Sequence, residues 1–417
     1  MNVSVYEDNK KLLIQFFENG SKKENNQKLG VEVEHFIVKR QSLESVSYYG
    51  KHGIENMLER LSPLYPHRFE KDGHLIGLYN DDYSLSLEPA GQLEISINPQ
   101  TDIKTVERIY EKLLKQLRPL LKENNYQLIT LGYQPKSVAK DLQLIPKRRY
   151  EYMDRYFATT GTGGIHMMRG TASTQVAIDY VNEADFVLKY RVAYILMPLL
   201  MLLTDNSPIY KGQQYDGHLL RNNIWERVDN ARAGIFKGVF DEDFGFAKYA
   251  EYLMNLPLIF MPDKDGETYT GEKCIKDIKP NELMTPEEVD HVLSMTFLDI
   301  RLKNYIELRF ADSMAFEYVK GYMALIKGIF YNDELLRKIV STYKASEDDI
   351  GKAKDSLSVD GFNGEAYGQG ASGLLEELLG EAKEILSRGE REMLKPFEEI
   401  VENKRTLAEE YNEKTIS

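Results

Sequence analysis

Apolar and polar residues follow two rhythms along this chain, one with the two-residue period of strands and one near the 3.6-residue period of helices. Residues 30–36 (GVEVEHF) alternate apolar and acidic side chains. That pattern puts Glu32 and Glu34 on one face of a strand running to Val38, and His35 on the other. Residues 68–79 surround Asp72-Gly73, a pair suited to the type I′ turn of a hairpin. Further strands are predicted at 84–88 and 92–97, split by Pro89-Ala90-Gly91, and at 128–133, 171–180 and 301–311. Helical spacing marks 6–19, 53–61, 102–124 (capped at Thr101 or Asp102), 148–157, 182–203, 243–256, 285–296 and 316–331. From about 332 the chain reads as charged helices, interrupted by a glycine-rich loop at 360–373. Short strands with one acidic face, separated by long helices, predict an α+β fold. Its largely antiparallel β-sheet is backed by helices on one side and open and polar on the other. The chain is read as one domain over 1–417, with a core at 28–330 and a helical extension at 331–417.

The acidic faces carry the candidate chemistry. Glu32 and Glu34 stand about 7 Å apart on their strand and repel each other unless they are solvated or share cations. Alone, such a strand is a wet edge. Glu88 and Glu94 share a face if the Pro-Gly turn between them does not reset it. Gln175 and Asp179 share one within 171–180, and Glu307 shares one with Arg309 and Arg301. Four such strands crowd oxygen ligands onto one sheet face, and that excess of negative charge calls for Mg²⁺ with bound phosphate. Arg148, Arg149, Arg221, Arg232, Arg301 and Arg309 offer forks for carboxylate or phosphate, although each alone is equally an ordinary surface ion pair. Trp225, the only tryptophan, is by default core packing.

Composition narrows the classes. A net charge of −13 repels phosphate backbones, so no nucleic-acid partner is expected. The single cysteine, Cys274, allows neither an internal disulfide nor a cysteine zinc site, and a reducing cytoplasm fits best. Residues 1–26 lack the apolar stretch of a signal peptide. The longest apolar run, 192–203, contains Pro198 and is too short to span a bilayer, so it reads as a buried core helix with no membrane role. There is no P-loop pattern. Residues 368–373 fit Gly-x-Gly-x-x-Gly, but no buried strand precedes them, so they read as a loop with Ser372 near a helix cap. The histidines lack metal-ligand spacing: His35 reads as structural, and His166 beside Gly163-Gly164 could go either way.

Seven stretches, in order, resemble the glutamate–cysteine ligases of the plant-type and bacterial family 2. They are GVEVEHF (30–36), LEPAGQLEIS (87–96), RYEYM (149–153), MMRGTASTQVAIDY (167–180), RNNIW with DNARAG (221–234), FDEDFGFAKY (240–249) and RLKNYIELRFAD (301–312). The resemblance covers roughly 28–330 and weakens in the helical tail. It implies a sheet similar to that of glutamine synthetase and guanido kinases. The implied reaction is the first step of glutathione synthesis, in which ATP activates the γ-carboxylate of L-glutamate as γ-glutamyl phosphate and the amine of L-cysteine displaces phosphate. It also implies two or three Mg²⁺ ions, ATP as co-substrate, and a monomer or homodimer acting on small molecules. Carried over by position, Glu32, Glu34, Glu88, Glu94, Gln175 and Glu307 become metal-ligand candidates. Arg309, with Glu307, would meet the transferring phosphoryl group, and Arg149, Tyr150, Arg221, Trp225 and Arg232 would hold glutamate or close the site.

Three departures stand out. The family's plant members carry an N-terminal targeting segment and cysteines for redox control; here the N-terminus is short and Cys274 stands alone, so that regulation is expected to be absent. The family's Glu-Pro-Gly-Gly is Glu-Pro-Ala-Gly (88–91), and its Arg-Gly-Ala-Asp is Arg-Phe-Ala-Asp (309–312). Phe310 is expected to add bulk beside the acceptor pocket. Two rival readings follow: a γ-glutamyl ligase with another amine acceptor, and a non-catalytic sensor of glutamate or nucleotide. The sensor has no need of a crowded metal face, and all the acidic positions are kept.

Overall fold

The computed structural model describes residues 3–23, 26–263 and 266–416. Nine strands form its main sheet: β1 (Leu29–Lys39), β2 (His67–Lys71), β3 (His74–Tyr79), β4 (Tyr83–Leu87), β5 (Leu93–Gln100), β6 (Tyr126–Ile129), β7 (Ser173–Ile178), β8 (Ile300–Leu302) and β9 (Ile306–Asp312). The order is β8-β9-β7-β1-β5-β4-β3-β2, with β6 beside the far end of β1. Every pairing within this sheet is antiparallel. The Asp72-Gly73 turn between β2 and β3 has both residues at positive φ, +52° and +81°, as a type I′ turn requires.

Alternation divides the sheet into two faces. Val31, Val33, Leu85, Ile95, Val176 and Leu308 are buried. The helices Ile103–Glu123, Glu183–Leu203 and Phe316–Phe330 pack behind β1, β5, β7 and β9. His35 belongs to this back face. It stacks on Tyr110 and shares a 2.7 Å hydrogen bond with the Tyr110 hydroxyl, and burial lowers its pKa to about 4. Asp102 caps the first of these helices through the N–H groups of Lys104 and Thr105. Glu183–Leu203 is long and apolar enough to cross a membrane by composition, yet Val192–Leu203 is wholly buried in the core.

Several boundaries differ from the sequence reading. The strand expected over 301–311 is two strands joined by a tight turn at 303–305, so Arg301 faces Glu307 across a hairpin rather than along one strand. The strand expected at 128–133 lies at Tyr126–Ile129. The strand over 171–180 stops at Ile178, and Asp179 turns away to accept the Lys28 N–H at 2.8 Å. The 360–373 loop holds a short ladder between Glu365–Ala366 and Gln369–Gly370, and a helix starting at Ala371 with Gly370 as its N-cap puts Ser372 in its first turn, near the cap as expected. The short helices Gly164–Gly170 and Leu220–Trp225 and the hairpin Ile259–Asp263/Gly266–Gly271 have too few residues for periodicity to reveal them. The extension's Leu336, Leu357, Leu375 and Phe397 join the same apolar cluster as the sheet.

Candidate active site

The open face of the sheet floors a cleft of about 310 Å³. Its acidic end is built on β1, β4 and β5. Glu34 lies directly opposite Glu94, and Glu32 lies opposite Ser96 on one side and Gln175 on the other. Like charges facing each other across strands are destabilising, and neighbouring donors answer only part of the cost. Glu34 accepts the Ser173 N–H at 2.7 Å, the Ser173 hydroxyl at 2.8 Å and the Gln175 amide at 3.1 Å. Glu94 accepts the hydroxyls of Ser86 at 2.8 Å and Ser96 at 2.9 Å. Glu88 stands on the tight turn after β4, where Gly91 adopts φ +85° and donates back to the Glu88 carbonyl at 2.9 Å. That turn keeps Glu88 and Glu94 on the same wall. Burial, then Glu94 and Glu307, raise the Glu32 pKa to about 8. Burial, then Glu94 and Glu34, raise that of Glu88 to about 8. Burial and Glu94 raise that of Glu34 as well.

The basic end is built on β8 and β9. Glu307, 1% exposed, is enclosed by Arg301 at 2.7 Å, Arg309 at 2.8 Å and Lys303 at 3.2 Å. Burial pushes its carboxyl up, but these three cations hold it well below the usual carboxylate range. Arg309 also donates to the Gln175 amide oxygen at 2.6 Å, so Gln175 bridges the two ends through Glu34 and Arg309. A bulge lies between Leu308 and Ala311 in the pairing of β9 with β7. There the Arg309 N–H donates to the Asp299 carbonyl (3.0 Å), while the carbonyls of Arg309 and Phe310 accept the Arg221 guanidinium at 3.0 and 3.1 Å.

The third wall comes from the helices Arg148–Thr160 and Leu220–Trp225. Arg149, Tyr150, Arg221 and Trp225 all line the cleft. The Nε atoms of Arg149 and Arg221 and the indole N–H of Trp225 are buried without a protein partner. Tyr150 donates to the Leu87 carbonyl at 3.2 Å. Met153, Met167, Met168 and Phe297 make an apolar border.

Some carried-over residues are not where the resemblance put them. Arg232 is outside the cleft. Fully buried, it engages Asp229 (2.7 Å), the carbonyls of Met295 (2.8 Å) and Pro257 (2.9 Å), and the Tyr156 hydroxyl (3.3 Å). It ties segments together, with four of its five N–H donors engaged, and its burial outside the cleft keeps it from glutamate. Glu307 sits beneath its three cations rather than at the cleft surface. Phe310 is 1% exposed and packs into the core, because alternation on β9 turns it away from Arg309. Residues missed from sequence are Lys147 and Lys303, which both line the cleft. Burial and Arg149 lower the Lys147 pKa to about 8. Its only sequence signal is the basic run Lys147-Arg148-Arg149 leading into the helix.

Among the described residues, no three His, Cys, Asp or Glu side chains converge closely enough to hold an ion as they stand. The donor chemistry nonetheless fits a hard divalent cation: four carboxylates, two of them (Glu32 and Glu88) accepting no hydrogen bond among the described residues, in a setting that disfavours their charge.

Carboxylates at one end of an open antiparallel sheet and guanidinium groups at the other give this cleft the opposed charges of an enzyme site. Residues 28–411 match the family model of glutamate-cysteine ligase family 2. The chain is 31% identical over 337 residues to the chloroplastic glutamate–cysteine ligase B of Oryza sativa subsp. japonica, covering 78% of this chain and 67% of that protein. It is 30% identical over 340 residues to the Medicago truncatula enzyme (79% and 66%) and over 336 residues to the Arabidopsis thaliana enzyme (79% and 64%). The chain thus spans about two thirds of the length of these relatives. The fold is shared with a crystal structure of glutamate–cysteine ligase from Francisella tularensis in complex with AMP. That match has a TM-score of 0.53 and 12% identity over 91% of this chain and 82% of that one. It is shared also with a bifunctional glutathione synthetase from Pasteurella multocida, at TM-score 0.52 and 14% identity over 97% and 50%. The chain belongs to glutamate-cysteine ligase family 2.

Proposed function

We propose that this cleft joins the γ-carboxylate of L-glutamate to the amine of L-cysteine, with ATP cleaved to ADP and phosphate. One observation carries the assignment to this site: Glu32, Glu34, Glu88 and Glu94 stand on one sheet face opposite Arg149, Arg221 and Arg309. Glu32, Glu34, Glu88 and Glu94 would hold Mg²⁺, whereas Gln175 is engaged by Arg309, and Glu307 by Arg301, Lys303 and Arg309. Bound Mg²⁺ supplies charge neutralisation for the triphosphate and polarises the phosphoryl oxygens.

The protein's own groups do the positioning. Arg309 is fixed by Glu307 and Gln175, so it meets developing phosphoryl charge without reorganising. Arg149, with an unpartnered Nε in the cleft, is the cation for the amino-acid carboxylate. Lys147, with its lowered pKa, supplies a second cation beside it. The γ-carboxylate oxygen attacks the γ-phosphorus and ADP leaves. The amine then attacks the acyl carbon, phosphate leaves, and the amine proton is lost. Met153, Met167, Met168, Trp225 and Phe297 shield the acyl phosphate from water between the two steps. The lone buried thiol, Cys274, suits a reducing compartment, and we place the enzyme in the cytoplasm.

The test is ADP release with Mg²⁺, glutamate and a panel of amines, with products weighed by mass spectrometry. Cysteine-dependent ADP and the mass of γ-glutamylcysteine are expected. Release with a different amine would keep the site and change the acceptor, and no release with any amine would overturn the reading.

A further inference from the structure

The helix Leu220–Trp225 carries Arg221 and Trp225 into the cleft, yet it has only six residues. A helix of that length has no stability of its own, so its position is set by whatever grips its ends. One helix of the C-terminal extension, Glu347–Asp360, reaches both ends, alongside Asp205, which accepts the Leu219 N–H at 3.2 Å, and Gly163, which donates to the Arg227 carbonyl at 2.8 Å. At the upstream end Leu219 enters in the left-handed conformation, φ +56°, and the His218 N–H donates to the Ser358 carbonyl at 3.0 Å. At the downstream end Glu226 pairs with Lys354. Lys354 and Ser358 are four residues apart, so one helix face supplies both contacts.

Lys354 is 5% exposed, an unusual place for an ammonium group. Burial works against its charge, but Asp299 and Glu226 more than offset this and raise its pKa. Asp299 is buried too, and its Oδ2 has no hydrogen-bond partner. It joins the segment of Phe297, which borders the cleft, to β8, which carries Arg301, and its carbonyl holds the Arg309 N–H. Arg221 and Arg309 act on the same carboxylate from the cleft side, and Lys354 is the strongest attraction on it.

We propose that Lys354 is a positioning residue, and that the helix Glu347–Asp360 splints Leu220–Trp225 against β9 so that Arg221 and Trp225 keep their places at the amino-acid end of the cleft. This rests on the reading of the cleft given above.

The test uses the full chain with Lys354→Met and Lys354→Arg. Because Trp225 is the only tryptophan, intrinsic fluorescence reports on this helix whether or not the enzyme turns over. Lys354→Met should red-shift Trp225 emission and roughly double its quenching by acrylamide. It should raise the glutamate KM about tenfold while the ATP KM stays within about twofold. Lys354→Arg should restore both readouts. Unchanged emission and glutamate KM in Lys354→Met overturns the proposal, as does an equal rise in both KM values with emission unchanged. Should Lys354→Met fail to fold, Glu226→Gln breaks the same pair from a half-exposed partner. The same red shift is expected there, and its absence overturns the proposal. A wild-type chain without ligase turnover would sink the catalytic reading and leave the positioning role to be decided by Trp225 emission alone.

Discussion

The two ends of one cleft treat a buried glutamate in opposite ways. At the β1–β5 end, burial and neighbouring glutamates outweigh the cations around Glu32, Glu34 and Glu88, and their protonated forms are favoured. At the β8–β9 end, Glu307 lies deeper than Glu32 or Glu88, yet it meets three cations and stays ionised. Burial costs both ends, and what differs is whether the protein supplies the compensating charge itself. The acidic end leaves that charge to come from solution. The basic end has its charge balanced within the chain, and so its geometry is settled before substrate arrives.

The largest effect is expected at the basic end. Glu307 and Gln175 both hold the Arg309 Nη1, so Arg309→Lys keeps the charge but loses the planar guanidinium and its second terminal nitrogen, and kcat should fall about 1,000-fold. A loss of less than tenfold would remove Arg309 from phosphoryl transfer. Next come two glutamates that should part company in a Mg²⁺ titration. Glu32→Gln should lower turnover about 100-fold at limiting Mg²⁺ and recover in part as the ion is raised. Glu307→Gln should lose about as much and recover nothing, since its carboxylate orients arginines. Equal recovery in both would erase the contrast.

A smaller effect concerns stability in EDTA. Glu32 and Glu88 ionise near 8 when folded and near their ordinary 4.5 when unfolded. The folded chain therefore binds more protons between those values, and stability falls as pH rises from 4.5 towards 8. Glu307 has the opposite sign: its contribution is present above 4.5 and is lost as pH falls through its folded value. Melting in EDTA should drop by on the order of 5 °C between about pH 5 and pH 8 and be restored by Mg²⁺. A flat profile would mean the acidic end bears no strain. The smallest effect is expected from Phe310→Leu, which should cost about 1–2 kcal/mol of stability and leave amine preference within about twofold. An altered preference would bring Phe310 back to the acceptor pocket.

Much of the acidic end was legible because side-chain parity on a strand follows directly from sequence. Glu32 with Glu34, and Glu94 across from them, needed only a period of two. Glu88 needed the turn at Pro89–Gly91 to be known, and the turn's shape is a backbone property that parity does not carry. The basic end was legible as to face but not as to contact. Glu307 is on the right side of β9, but no spacing reveals that a hairpin folds Arg301 and Lys303 over it. Arg232 was misplaced for a related reason. The i, i+3 neighbour Asp229 was a visible hint of internal pairing, while the carbonyls of Pro257 and Met295 that absorb its other donors come from distant segments. Lys147 and the splinting helix depend wholly on tertiary contacts.

The bulge in β9 gives this enzyme a particular evolutionary stiffness. Alternation from Glu307 turns Arg309 to the cleft, and one extra residue between Leu308 and Ala311 then leaves Asp312 opposite Ser173. Substitutions along this segment change one side chain at a time. A single-residue deletion would remove the bulge and draw this stretch into plain register with β7, closing the break through which the Arg309 N–H and the Arg309 and Phe310 carbonyls leave the ladder for Asp299 and Arg221. Substitution is therefore expected to be tolerated better than a change of length across these four positions, and a deletion scan should find its sharpest boundary there.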